Sequence, residues 1–141
     1  MTFEPMKGIC FRIGVALTLL TQTGIIAARP NAHGALLWQQ DLNGTRADRN
    51  DRVESVAADN HVNVVAAGET VMNIGRAVDF TVAKFDRDGT LLWQQTLNGT
   101  AANSFDDATS VAVDNQGNVV AAGSIENAGT SRDFTVAKFG R

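Results

Sequence analysis

Few residues in this chain are of a type that does chemistry, and their spacing works against most of it. His33 and His61 stand singly, far apart, with no acid or nucleophile beside them. A zinc site takes about three or four ligands and a general base needs a positioned partner, so neither imidazole is expected to serve as one. Asp106-Asp107 offers two adjacent carboxylates to calcium, but that ion takes about six to eight converging oxygens. The matching place earlier in the chain holds Asp51-Arg52, so the pair is not kept. Asp86 and Asp88 match the start of a calcium loop, yet aspartate capping its own hairpin turn explains them. Asn43-Gly44-Thr45 and Asn98-Gly99-Thr100 fit the N-glycosylation sequon and read equally as tight turns after a strand. Trp38 and Trp93 have faces that could stack a ligand; their recurrence at one strand position assigns them to packing instead. The only cysteine, Cys10, lies near the N-terminus. No catalytic, cofactor-binding or metal-binding residue is expected, and so no tight metal.

What positions these residues is a repeat. GALLWQQDLNGT at residues 34–45 returns as GTLLWQQTLNGT at 89–100, and SVAADNHVNVVAAG at 55–68 returns as SVAVDNQGNVVAAG at 110–123, both displaced by 55 residues. DFTVAKF closes each copy, at 79–85 and 133–139, displaced by 54. Self-similarity at a fixed period marks a unit that buries its apolar surface by stacking on copies of itself.

Within each copy the period is that of strands. Residues 36–42 and 91–97, 53–58 and 109–113, 62–70 and 118–125, and the two DFTVAKF segments are short runs rich in Val, Phe, Trp, Thr and Leu. DRDG and DNQG turns separate them, with Gly89 and Gly117 at hairpin positions that need positive φ. Val62 stands where the first copy would carry that glycine, and a β-branched residue is strained there, so a different loop geometry is expected. SVAV and NVVAAG lack in/out alternation, as in sheets covered on both faces. The expected fold is all-β, two four-stranded antiparallel β-propeller blades, with β-sandwich and β-solenoid as the competing architectures. SVAVDNQGNVVAAG supplies the two inner strands of a blade, DFTVAKF the third and LLWQQ the outermost. Trp38, Trp93, Phe80, Phe85, Phe134 and Phe139 are the expected inter-blade packing residues. The chain divides into a first repeat at 36–88 and a second at 89–141, which stops before its outer strand, while residues 36–42 form an outer strand without a blade.

The order DFTVAKFDRDGTLLWQQTLNG, an acidic loop, then SVAVDNQGNVVAAG resembles the SBBP-type β-propeller repeat of secreted bacterial and archaeal proteins, over nearly everything from Gly34 onward. VVAAG departs from it, since the family tends to carry an aromatic and a threonine there. The resemblance implies a propeller and an extracytoplasmic setting, and little about activity. AKFDRDGTLLWQ is also similar to the tryptophan-docking motif of quinoprotein propellers, with Ala83, Asp86, Gly89 and Trp93 in its places. That motif is structural and implies no bound quinone.

The first 28 residues read differently. Lys7 and Arg12 precede an apolar run at 13–20 and small residues at 21–28, the pattern of a cleaved secretory signal. The run is interrupted well short of the about 20 apolar residues that span a bilayer, so no stable membrane span is expected after processing, and residues 29–35 become a short linker. Removal of Cys10 leaves no thiol for a disulfide. A formal charge of −3 without a basic run argues against nucleic acid. The expectation is an exported, non-enzymatic module with a scaffolding or binding role toward an unknown protein or glycan, and head-to-tail self-association of its complementary ends. A quinoprotein-like enzyme fragment and a truncated remnant of a longer propeller are the alternatives.

Overall fold

The computed structural model describes residues 33–45, 50–71 and 77–140. The expected signal segment, and all of the linker but residues 33–35, lie outside them. The chain separates into Met1–Leu36 and Leu37–Arg141. Of the first unit only residues 33–36 are described; they are exposed, with a turn at His33-Gly34.

The second unit is built from antiparallel strands. β1 (Arg52–Ala58), β2 (Val64–Thr70), β3 (Asp79–Phe85) and β4 (Leu91–Leu97) form one sheet in that order, and β5 (Asp107–Val113), β6 (Val119–Asn127) and β7 (Ser131–Phe139) form another. The second sheet has three strands, which corrects the four-stranded plan for that copy and is the number left to a repeat that stops before its outer strand. Its fourth strand would follow DFTVAKF, which is β7, the last strand among the described residues. Residues 37–42, expected as a strand, belong to neither sheet, because among the described residues no neighbour pairs with them.

The repeat is exact enough in its backbone to show why certain residues recur. Glu54 and Thr109 are the extra residues of β-bulges at matching places in β1 and β5. Opposite each bulge lies a glycine: a Cβ on Gly68 would stand 1.9 Å from the Arg52 carbonyl oxygen, and one on Gly123 1.9 Å from that of Asp107. The recurring glycine of VVAAG thus permits a bulge within a sheet.

The β1–β2 and β5–β6 hairpins share one turn. The Asp59 and Asp114 carbonyls accept the N–H of Val62 and Gly117 at 3.0 Å in both, and Gly117 has φ +86°. Val62 keeps that geometry at φ +65°, which corrects the expectation of a different loop. Asp59 holds it there: its Oδ1 accepts the N–H groups of His61 (2.8 Å) and Asn63 (2.9 Å). Since a β-branched residue in the left-handed region is strained and Val62 is exposed, Val62→Gly is expected to stabilise the fold by roughly 1 kcal/mol. A urea titration giving an unchanged or lower midpoint would contradict this.

The two sheets stack face to face. Val65, Ala67, Phe80 and Val82 of the first meet Ala108, Val111, Val119 and Ala121 of the second in one buried cluster, and the Val111 N–H donates to Ser55 Oγ at 3.2 Å across the joint. The stacking buries Phe80, Val82 and Lys84 of β3; the residues between them, on the other face, are buried too, whereas β7 alternates between half-buried and exposed.

Candidate functional site

Three devices appear in both copies, and they take up most of the candidates for chemistry. The first is a tryptophan wedge. Trp93 of β4 lies against Phe139 of β7 with ring centroids 5.7 Å apart at 36°, and Trp38 lies against Phe85 of β3 at 5.9 Å and 35°. Such tilted contacts suit the ring quadrupoles. Trp38 Nε1 donates to the Arg87 carbonyl at 3.1 Å, fixing the indole over the DRDG turn. Gly89, at φ +88°, sits beneath that indole, with ring atoms 2.9 Å from where a Cβ would be. Phe80 is fully buried in the joint. Phe134, expected to pack in the same way, is 87% exposed, because the second sheet has no neighbour on that face among the described residues.

The second device is an aspartate clamp. Asp106 is fully buried and accepts three hydrogen bonds: Gly99 N–H at 2.8 Å, Glu126 N–H at 2.7 Å and Ser104 Oγ at 2.9 Å. Asp51 does the same with Gly44 N–H at 2.9 Å and Val71 N–H at 2.7 Å. Each clamp ties the NGT loop entering a repeat to the end of that repeat's second strand. The glycines of those loops are therefore required: a Cβ on Gly44 would meet the Val71 oxygen at 2.1 Å and one on Gly99 the Glu126 oxygen at 1.9 Å. The acidic loop is thus explained by backbone N–H groups that need an acceptor. Sequence reasoning compared Asp106-Asp107 with Asp51-Arg52 as a pair and missed that the first member is kept at the 55-residue displacement, which was the signal.

The third is a lysine latch. Lys84 Nζ lies 3.0 Å from Asp59 Oδ2 with both side chains almost wholly buried, and 3.4 Å from the Gly117 carbonyl of the second sheet's turn. Burial raises the Asp59 carboxyl, but the Asn63 side chain and N–H, Lys84 and the His61 N–H outweigh it and hold the group well below the usual carboxylate range. A carboxylate held so low is a poor base at neutral pH, so the pair fixes geometry instead of moving protons. In the second copy Lys138 Nζ lies 2.9 Å from Asp114 Oδ2, largely in solvent. Asp114 is lowered too, chiefly by the Asn118 side chain and then by Lys138.

The remaining candidates are dispersed. Asp86 Oδ1 accepts the N–H groups of Asp88 and Thr90 at 2.9 and 2.8 Å, which is turn capping. His61 borders a cleft of about 340 Å³ with Asp59, Asn63, Lys84, Trp93 and Gln116. Asp79 and Asp133 occupy one repeat position with opposite electrostatics. Burial and then Asp106 raise the Asp79 carboxyl, opposed by the Asn98 side chain, and its Oδ1 has no partner among the described residues. Asp133 is lowered by the Asn127 amide and the Thr130 hydroxyl, each 2.8 Å from its Oδ2. Among the described residues no three of His, Cys, Asp or Glu gather as a metal site would need, and no helix is long and apolar enough to cross a membrane. Comparison with protein-family models and with curated proteins finds no match.

Proposed function

We propose that this chain is a non-enzymatic β-propeller repeat module, exported from the cell, in which each sheet is one blade and the stacked sheets serve a scaffolding or binding role. One observation carries the reading. The polar side chains present in both copies, Asp51 and Asp106, Asp59 and Asp114, Lys84 and Lys138, hold turns, loops and sheets in place at matching distances. A scaffold built this way offers broad sheet faces and loops to a partner protein or glycan, and these recurring side chains are occupied by the chain's own backbone and side chains. Fold alone does not fix function, so the test must look for chemistry. Elemental analysis and an absorption spectrum of the purified chain are expected to give no stoichiometric metal and no quinone chromophore. A metal at one equivalent, or a quinone band, would overturn the reading in favour of a propeller enzyme.

A further inference from the structure

We infer that the two open sides of the sheet pair are the halves of one joint, and that a second copy of this chain fills them head to tail. The joint between the sheets is the template. On its first side Ser55, Val65, Ala67, Phe80 and Val82 face the second sheet. Their repeat equivalents, Ser110, Val120, Ala122, Phe134 and Val136, line the outward face of the second sheet. There Phe134 is 87% and Val136 56% exposed, while Phe80 and Val82 are both 0% exposed. On the other side of the template lie Ala121, Gly123, Thr135 and Ala137 of the second sheet, small residues on which large ones can seat. Their equivalents Ala66, Gly68, Thr81 and Ala83 line a groove of about 530 Å³ on the first sheet, in which Thr81 and Ala83 are themselves 4% and 1% exposed while Val53, also lining it, is 61% exposed. The outward side chains of one copy therefore match the groove of another, as the buried joint already demonstrates within one chain.

The free edge matches as well. Among the described residues no strand pairs with the outer edge of β7. Residues 37–42 stand over the first sheet where β4 stands over the second, with Trp38 on Phe85 as Trp93 is on Phe139, and with Gly44 clamped by Asp51 as Gly99 is by Asp106. They hold the place of a fourth strand and lack only a third strand to pair with. Transferring the β3–β4 register, in which Ala83 faces Gln94 and Lys84 faces Trp93, sets Ala137 opposite Gln39 and Lys138 opposite Trp38 of the second copy. A second copy is the occupant because it brings the groove, the wedge and the edge strand together in one geometry. Such a contact is heterologous, closing into a ring if the rotation permits and growing into open polymers otherwise. The inference rests on the observed stacking and is independent of whether the module is catalytic.

Sedimentation of the full chain over a range of concentrations is expected to show reversible association, abolished by Phe134→Glu, a change at an exposed position. Mixing Cys10→Ser chains that carry Gln39→Cys with Cys10→Ser chains that carry Ala137→Cys is expected to give a disulfide-linked heterodimer under mild oxidation. A chain that stays monomeric, association indifferent to Phe134→Glu, or capture of an unrelated protein on the Phe134 face by a monomeric chain would each overturn the inference.

Discussion

Replacing Phe80 by alanine is expected to cost about 3–5 kcal/mol of folding stability, the usual loss for emptying a large buried aromatic site. The same replacement at Phe134 is expected to change stability by less than about 0.5 kcal/mol. The two residues share an identical heptapeptide, so strand propensity and immediate neighbours cancel in the comparison. What differs is the neighbouring sheet. Phe80 is enclosed by β5 and β6 and has no exposed surface, whereas Phe134 is 87% exposed. Denaturant titrations at low protein concentration, where separate copies do not meet, measure both. Equal losses at the two positions would mean that something covers the second sheet in solution even in a single chain.

Lys84→Met is expected to destabilise the fold by about 3 kcal/mol, since removing one member of a buried ion pair leaves the other without its counter-charge. Lys138→Met, in a pair of nearly the same length but with a side chain 58% exposed, is expected to cost less than about 1 kcal/mol. The pH dependence has a definite sign. Asp59 is held below its unfolded value, so its contribution is fully present above about pH 4 and is lost as the pH falls toward the folded value. Methionine removes one of the groups holding it down, so the gap between Lys84→Met and wild type is widest near neutrality and narrows in acid. A gap that stays constant from neutral to acid pH would show that the lost packing of the lysine stem, and not the ion pair, is responsible.

Much of the strand plan was legible because its signals are local. Runs of Val, Phe and Thr between Asp-containing turns mark the strands, and the 55-residue displacement orders them. The features that escaped sequence reading are those that depend on where a second sheet lies. Nothing in DFTVAKF separates β3, buried along its whole length, from β7, which has one open face. The turn at Val62 is not legible from that residue's own preference for φ, because the Asp59 side chain imposes it through two backbone N–H groups. The clamps at Asp51 and Asp106 join loops to strand ends across about 20 residues of chain, and that distance hides them from any local pattern. They were visible only as identical residues at the repeat distance, once each position was compared singly. Residues 37–42 carry the same strand signal as β4, yet pattern alone supplies no partner, and a strand without a partner is not a strand.

The placement of Trp38, Gly44 and Asp51 has an evolutionary corollary. The covalent repeat and the spatial sheet are out of phase by one strand: the segment that carries each tryptophan wedge belongs, in sequence, to the start of one copy and leans on the sheet formed by the strands that follow it. Duplication or loss of a 55-residue unit therefore cuts no joint in half, whichever residue the recombination breakpoint falls on, because every wedge and clamp is regenerated from the adjoining unit. Change in length by whole repeats is cheap for such a gene, while insertion of a few residues between Gly99 and Asp106 would pull a clamp out of reach. Homologous loci are thus expected to differ in repeat number far more readily than in repeat length.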